Sequence, residues 1–285
     1  MRSVILSLVI LSIVACVAIA QDEANPQFVK GKYFDRVFII IFENHSYKEV
    51  MADPYFNKLA SMGLSLSNNF ANFHPSEPNY IALTYGSNDG IVNDGNFNIP
   101  GNSIVDLLEE KGVSWKAYME SYPGKCFAGT SSGTYVRKHN PFISYENVYK
   151  NASLCAKIVD STELSVDQES NSVPQYSWYT PDMNNDAHDT SIAYASKWLQ
   201  GFFPTVHNDP NLNNTAFILT WDEDDGSEGN QIYTVFVGMG VKPGSTDNTK
   251  YDHYSLLRTI EDNFGLGTLG RDDASAKPIG SLIEQ

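Results

Sequence analysis

Two segments constrain the fold of this chain more than any other feature of its sequence: Val37–Phe42, which is entirely apolar, and Ala216–Trp221, which is apolar except for Thr220. Each has the length of a β-strand and is rich in aliphatic and aromatic residues, which is typical of a strand buried on both faces. Each also ends abruptly in polar residues. These are Glu43 and Asn44 after the first segment, and Asp222 and Glu223 after the second. Because open α/β sheets bind ligands at the carboxyl ends of parallel strands, both strand ends predict site residues.

Helical patterns alternate with strand patterns along the chain. The clearest helix lies between Asn102 or Ser103, either of which can cap its start, and Gly112, which ends it. Further strands are predicted in VSWKAYME and YTVFVGMG, and further helices in TSIAYASKWLQGFF and YDHYSLLRTIEDNFG. This alternation predicts an α/β fold in which helices cover both faces of a mostly parallel sheet.

The chain of 285 residues suffices for one large domain after a leader. Residues 1–20 contain a basic Arg2, an apolar stretch and small residues before Gln21, which predicts a secretory signal peptide. An uncleaved N-terminal anchor is the alternative, although the apolar stretch is short for a membrane span. We expect residues 21–285 to form a single domain, with a loop-rich insertion at about 123–174, where the pattern weakens.

No second long apolar segment follows the leader, and the C-terminal sequence KPIGSLIEQ is not a hydrophobic tail. We therefore expect a secreted or extracellular protein without a stable membrane anchor; a lysosomal or vacuolar destination stays open. In an oxidising compartment, Cys126 and Cys155 are expected to form a disulfide. Asn151 and Asn213 begin sequons that predict glycosylation in the same setting.

The formal net charge of the chain is −15 at pH 7. A surface this acidic repels nucleic acid, so a nucleic-acid partner is not expected. A site for an anionic phosphate ester would need a local positive charge, and a divalent metal ion is the simplest source. Lys138 and His139 are basic residues in this acidic chain and are therefore candidates for binding an anionic substrate.

Ser76 is a candidate nucleophile because it lies between Pro75 and Pro78, at the predicted start of a helix. It could simply cap that helix, since serine is favoured at the N-cap and proline in the first turn. A hydroxyl at a helix N-terminus is also where the helix dipole favours a phosphoryl group. The two interpretations are compatible.

The segment WYTPDMNNDAHDTS concentrates acidic residues around a histidine. Asp182, Asp186 and His188 are plausible ligands of a divalent cation, although acidic loops are usually only solvated. His253 lies at another predicted helix start, where a lone histidine is more often structural. Together with the acidic strand ends and Ser76, these residues predict a metal-supported phosphoryl transfer. The sequence has no P-loop motif and no Gly-x-Ser-x-Gly elbow at the end of a predicted strand, which argues against a nucleotide kinase and an α/β-hydrolase.

Six segments resemble those of the exported phosphoesterases that include acid phosphatases and bacterial non-specific phospholipases C. They are FENHSY, HPSEPNYIAL, KHNPFISYENV, PDMNNDAHDTS, TWDEDDG and YDHYSLLRTIED, and they occur in the family order. The resemblance implies a three-layer α/β/α sandwich of the alkaline-phosphatase type. It places the active site at the carboxyl edge of the central sheet.

The resemblance also implies roles for individual residues. Ser76 would be the attacking residue, and Asn79 of the same Pro-Ser-x-Pro-Asn motif would contact substrate. The metal ligands implied are Glu43, Asn44, Asp222 and Glu223. A second ligand cluster would comprise His188, His253 and either Asp182 or Asp186. His188 or His253 would alternatively protonate the leaving alkoxide.

The oxygen-rich ligand set favours one or two hard cations such as Mg²⁺, Ca²⁺ or Mn²⁺, with Zn²⁺ the alternative. We therefore expect a secreted acid phosphatase that hydrolyses small phosphate monoesters through a phosphoserine. A phospholipase C-type phosphodiesterase is the main rival. Such an enzyme needs an apolar groove, and aromatic residues of the predicted insertion could line one: Tyr122, Phe127, Tyr135, Phe142 and Tyr145. A catalytically inactive, cation-dependent binding glycoprotein is a third hypothesis.

Overall fold

A central sheet of eight strands organises the computed structural model, which describes residues 28–285. The predicted signal peptide lies outside the described residues. The strands of the molecule are β1 (Arg36–Phe42), β2 (Leu64–Leu66), β3 (Asn69–Phe70), β4 (Trp115–Met119), β5 (Ser131–Ser132), β6 (Tyr135–Val136), β7 (Ile158–Asp160), β8 (Tyr176–Thr180), β9 (Thr215–Trp221), β10 (Thr234–Gly238), β11 (Ser245–Asp247) and β12 (Tyr251–Asp252). The order in the central sheet is β11-β2-β10-β9-β1-β8-β4-β7.

Helices cover both faces of this sheet. They are α1 (Tyr47–Ala52), α2 (Pro54–Met62), α3 (Ser76–Tyr85), α4 (Ile104–Lys111), α5 (Glu146–Tyr149), α6 (Ala152–Cys155), α7 (Glu163–Glu169), α8 (Ile192–His207), α9 (His253–Phe264) and α10 (Asp272–Ser275). Short 3₁₀ turns occupy Arg137–His139, Pro141–Ser144 and Pro210–Leu212. No helix within residues 28–285 is long and apolar enough to cross a membrane.

The side-chain alternation of β1 divides the core into two layers. Val37, Ile39 and Ile41 pack in the cluster that includes α3, α4 and α9, whereas Phe38 and Ile40 pack in the cluster that includes α2 and α8. Successive residues of a strand point to opposite faces, so a strand between two helical layers must be apolar throughout. This arrangement confirms the expected α/β/α sandwich.

The sheet is parallel except for β10, which runs antiparallel to β9 and β2. β1 and β9 are parallel neighbours, and Phe42 pairs with Trp221 at their ends. The residues that follow the two strands, Glu43 and Asp222, therefore emerge side by side. The predicted helix α4 also forms, with a capping box at Ser103 and a left-handed Gly112 at its end.

The segment 123–174, which the sequence predicts to be a loop-rich insertion, carries several short elements of secondary structure. It contains three short helices, and β7 extends the central sheet in parallel with β4. A strand of three residues is too short for its periodicity to be recognised. The structure contains the expected Cys126–Cys155 disulfide, with Cα atoms 5.7 Å apart. The sequon residues Asn151 and Asn213 are exposed.

Candidate active site

The carboxyl ends of three adjacent strands bring acidic side chains from distant parts of the sequence together. β1 lies between β8 and β9, so Glu43 is flanked by the segments that follow those two strands. The Glu43 amide donates to the Asp186 carbonyl oxygen at 3.0 Å, and the Asp222 amide donates to the Phe42 carbonyl oxygen at 3.0 Å. This edge of the sheet is the position that the sequence predicts for the site.

Ser76 is the first residue of α3 and is not its N-cap, which is Pro75. The Ser76 hydroxyl oxygen lies 2.8 Å from Glu43 Oε2 and 3.1 Å from Glu223 Oε1. The hydroxyl is therefore held between two carboxylates that can accept its proton. The alternative in which Ser76 merely caps the helix is not observed.

Tyr80 is a site residue that the sequence interpretation missed. It lies four residues after Ser76 on α3, and its hydroxyl donates to Glu43 Oε1. Residues at positions i and i+4 of a helix share one face. That spacing from Ser76 is the sequence signal that could have identified it.

Burial and mutual proximity raise the pKa values of the acidic residues at this site. The pKa of Glu43 is raised well above its usual range by burial and by the nearby Asp186 carboxylate. Burial, followed by the Glu43 and Glu223 carboxylates, likewise raises the pKa of Asp222. Burial also raises the pKa of Asp186 well above its usual range and, to a smaller degree, the pKa of Glu223. Carboxylates this close cannot all be ionised unless a cation compensates them.

Two groups of side chains are close enough to hold such a cation. Ligand atoms within 4.8 Å of one another are offered by Glu43, Asp222 and Glu223, and by Glu43, His139 and Asp186. Asp222 Oδ2 is buried and has no hydrogen-bond partner, which fits a position for a cation ligand. Neither group among the described residues contains Asp182, His188 or His253.

His139 lies deeper than a substrate-binding residue would. It is buried, with Nε2 3.1 Å from Glu43 Oε1 and Nδ1 3.4 Å from Asp186 Oδ2. Burial, with the nearby Lys138 and His188, lowers the pKa of His139 well below its usual value. The imidazole is therefore neutral, which is the state that can ligate a metal.

Asn44 and His74 lie on the open side of the site. Asn44 has a positive φ of 29°, and its amide donates to Asp222 Oδ1 at 3.1 Å. The sequence interpretation missed His74, which contacts Glu223 Oε2 through Nδ1 and lies 3.3 Å from Asp224 Oδ1 through Nε2. The position of His74 two residues before Ser76 is the sequence signal that could have identified it. An open pocket lined by Asn44, His74 and Glu223 gives access to this side.

Lys138 and His188 provide basic groups at the site. Lys138 Nζ lies 3.4 Å from His188 Nε2 and donates to Asp94 Oδ2 at 3.0 Å. Burial by itself lowers the pKa of Lys138, but the surrounding carboxylates of Glu43, Asp94 and Asp222 raise it overall. Lys138 is therefore a charged group that faces the acidic cluster.

Three predicted site residues have other roles in the structure. Asp182 accepts from the amides of Asn184 and Asn185 at 3.1 Å, so it organises its own loop and Asp186 is the member of the acidic cluster. The Asn79 side-chain amide is occupied by main-chain groups of Asn72 and Phe73, so it supports the segment before Ser76.

His253 is buried and donates from Nε2 to the Asp222 carbonyl oxygen at 2.6 Å. Burial lowers the pKa of His253 to about 4. A buried, neutral imidazole that donates to a main-chain carbonyl supports the end of β9. The proton-donor role expected of His253 stays a prediction.

Comparison with known proteins identifies the relatives of this chain. Residues 50–267 match the model of the phosphoesterase family. A probable acid phosphatase from Kluyveromyces lactis is 40% identical over 88% of this chain and 63% of its own length. An acid phosphatase from Aspergillus fumigatus is 39% identical over 87% of this chain and 59% of its own length. The chain thus spans about three fifths of the length of these two relatives.

A third relative matches over most of both chains, and solved structures share the fold. A phosphatidylinositol-3-phosphatase from Mycobacterium tuberculosis is 35% identical over 87% of this chain and 83% of its own length. A protein of the alkaline phosphatase superfamily from Vibrio parahaemolyticus superposes with a TM-score of 0.60 at 15% identity, covering 90% of this chain and 72% of the other. The sequence matches and the shared fold together show that this chain belongs to the phosphoesterase family.

Proposed function

We propose that this chain is a secreted acid phosphatase that hydrolyses small phosphate monoesters through a phosphoserine formed on Ser76. The observation that carries the proposal is the position of the Ser76 hydroxyl, at the start of α3 and between the carboxylates of Glu43 and Glu223. The similarity to acid phosphatases over most of this chain supports the same activity.

Glu43, Asn44, Asp222 and Glu223 would hold a divalent cation beside Ser76, and Asp186 with His139 would hold a second one. A bound cation would supply Lewis-acid stabilisation of phosphoryl oxygens and favour the ionised serine hydroxyl. The carboxylate oxygens suit Mg²⁺, Ca²⁺ or Mn²⁺, whereas the His139 nitrogen is also compatible with Zn²⁺.

The residues of the chain would then perform a double displacement. Ser76 Oγ loses its proton to a neighbouring carboxylate and forms a bond to phosphorus while the bond to the ester oxygen breaks. His188, at the partly exposed rim beside Lys138, protonates the departing alkoxide. Water then attacks the phosphoserine, which releases inorganic phosphate and restores the Ser76 hydroxyl.

The burial of most of the aromatic residues proposed for a diester groove supports a monoester substrate. Phe127 is partly buried, and the other four side chains that could have lined a groove for the second substituent of a diester are Tyr122, Tyr135, Phe142 and Tyr145. All four are at most 3% exposed and pack in the hydrophobic core. A phospholipase C-type activity is the second candidate, because a non-hemolytic phospholipase C from Burkholderia pseudomallei is 24% identical over 53% of this chain.

The test compares hydrolysis of a chromogenic phosphate monoester with that of the matching diester by secreted protein, from acidic to neutral pH. Ser76→Ala should abolish turnover, whereas Ser165→Ala, an exposed serine of α7, should retain it. A clear monoester preference with an inactive Ser76→Ala variant supports the proposal. A diester preference would favour the phospholipase C-type function, and no turnover despite bound cation would favour the inactive binding glycoprotein.

A further inference from the structure

The carboxylate of Asp94 connects the start of α3, where Ser76 lies, to the side chain of Lys138. Its Oδ1 accepts from the Glu77 amide at 3.0 Å, and its Oδ2 accepts from Lys138 Nζ at 3.0 Å. Glu77 directly follows Ser76 on α3, and Lys138 belongs to the 3₁₀ turn that precedes the buried pair of Asn140 and Pro141. Asp94 therefore fixes the position of Lys138 relative to the helix that begins with Ser76.

The loop that carries Asp94 is itself attached to this helix. The Gly95 amide donates to Glu77 Oε2 at 2.6 Å, and Glu77 is buried. Asp94 and Glu77 thus bind each other reciprocally, with the side chain of each accepting a main-chain amide from the other segment. This double connection holds the Asp94 carboxylate in one place, so that it can orient the Lys138 side chain.

The Lys138 ammonium needs such a restraint because other carboxylates also attract it. Its neighbours include the carboxylates of Glu43 and Asp222, which are candidate cation ligands. Without Asp94, the ammonium would be drawn toward those carboxylates and would compete with a cation for them. With Asp94, it is held beside His188 Nε2, with its side chain 21% exposed.

A lysine ammonium in the position of Lys138 discriminates between two classes of phosphate ester. A phosphate monoester dianion has three non-bridging oxygens, whereas a diester has two and carries one charge less. An ammonium that binds the third oxygen therefore stabilises the monoester more than the diester. We propose that Lys138 binds this third oxygen and that Asp94 is the positioning residue that gives the site its preference for phosphate monoesters. This inference rests on the proposed function.

The experiment uses a double-mutant cycle of Asp94→Asn and Lys138→Met in the full chain. Asparagine keeps an acceptor for the Glu77 amide and removes the charge that holds Lys138. Asp89→Asn is the matched control, because Asp89 lies on the same loop and is exposed. The readouts are kcat/KM for a chromogenic monoester and its diester, and the affinity for inorganic phosphate measured by calorimetry. Thermal unfolding of each variant verifies that it is folded.

We expect Asp94→Asn to lower monoester kcat/KM about tenfold or more, with a smaller loss for the diester and weaker phosphate binding. Asp89→Asn should match the wild type. In the Lys138→Met background, Asp94→Asn should cause little further loss, since its effect acts through Lys138. If Asp94→Asn does not fold, Asp94→Ser, which keeps an oxygen near the Glu77 amide, replaces it in the cycle.

Two results would overturn the inference while leaving the proposed function intact. One is an active wild type in which Asp94→Asn keeps the wild-type ratio of monoester to diester rates and the wild-type phosphate affinity. The other is an equal loss from Asp94→Asn with and without Lys138. A wild type that hydrolyses neither ester would instead refute the proposed function, and phosphate binding would then still test the Asp94–Lys138 pair.

Discussion

Glu43 is a buried residue whose two carboxylate oxygens have partners from different parts of the chain. Oε2 accepts from Ser76, and Oε1 accepts from Tyr80 and lies 3.1 Å from His139 Nε2. Removing one partner from such a network leaves a buried polar group unpaired and costs about 1–3 kcal/mol. Tests of individual residues at this site therefore need replacements of similar shape, and they need readouts more specific than loss of activity.

His188 permits such a test through the chemistry of the leaving group. If it protonates the departing alkoxide, His188→Gln should lower kcat for an alkyl phosphate by about 100-fold or more. The loss should be much smaller for p-nitrophenyl phosphate, because its leaving group departs without a proton. The measurement compares kcat for the two substrates at the same pH.

His207→Gln, on α8 and away from the acidic cluster, is the control for this comparison. It should leave both rates unchanged. Equal losses for the alkyl and nitrophenyl substrates in His188→Gln would contradict the assignment and would leave His188 with a binding or structural role.

At the scale of secondary-structure elements, helices α9 and α10 contact each other through two buried acidic residues. Glu261 on α9 is buried, and neither of its carboxylate oxygens has a hydrogen-bond partner among the described residues. Asp273 on α10 is also buried and accepts from the amides of Leu269 and Arg271. Burial and the Asp273 carboxylate raise the pKa of Glu261 to about 8 from an ordinary value of 4.5. The contact between these two helices is therefore sensitive to pH.

The direction in which stability changes with pH follows from the difference in proton binding between the folded and the unfolded chain. Between pH 4.5 and about 8, the unfolded chain releases the Glu261 proton while the folded protein retains it. The stability associated with neutral Glu261 is complete below pH 4.5 and is lost as the pH rises, by at most about 1.4 kcal/mol per pH unit. Glu261→Gln should therefore be more stable than the wild type at pH 8 and similar to it at pH 4.5.

Urea unfolding across this pH range measures the difference between the two proteins. Glu110→Gln, an exposed glutamate on α4, is the control and should follow the wild type at every pH. A Glu261→Gln variant whose stability falls with pH as steeply as that of the wild type would show that Glu261 does not titrate in this way.

At the scale of the whole molecule, the site joins segments that are far apart in sequence. Glu43 follows β1 and Asp222 follows β9. Ser76 begins α3, and Asp186 lies in the segment before α8. A cation bound by these residues would bind only the folded chain, because the unfolded chain does not bring them together. Cation binding should therefore stabilise the fold as a whole.

We expect saturating cation to raise the free energy of unfolding by about 2.7 kcal/mol at a hundredfold excess over Kd. The gain should be larger at pH 7 than at pH 5, because protons compete for carboxylates whose pKa values are raised. Thermal unfolding with a chelator and with added Mg²⁺, Ca²⁺, Mn²⁺ or Zn²⁺ measures the effect.

Asp222→Asn should lose most of this cation-dependent gain, whereas Asp225→Asn should keep it, because Asp225 is exposed and lies outside both ligand groups. A Tm that is the same with chelator and with each of the four cations would contradict a cation site of this composition.

The sequence by itself determined the features that depend on neighbouring residues. The apolar segments before Glu43 and Asp222 predicted β1 and β9, because burial of a strand on both faces is visible in a short window. The limits of α4 followed for the same reason from Gly112 and from the two candidate caps, Asn102 and Ser103, of which Ser103 is the N-cap. Ser76 was identified from the prolines beside it and from the family resemblance of its motif, and the structure makes Pro75, not Ser76, the N-cap of α3.

The tertiary structure alone decided which side chains meet. β8 was missed by the sequence interpretation, yet its position beside β1 selects Asp186 for the acidic cluster and leaves Asp182 to organise a loop. The pairing of Asp94 with Lys138 joins residues that are 44 positions apart, and no local pattern connects them. Contacts of this kind depend on strand order and helix packing, which nonlocal burial determines, so they cannot be recognised in a window of sequence.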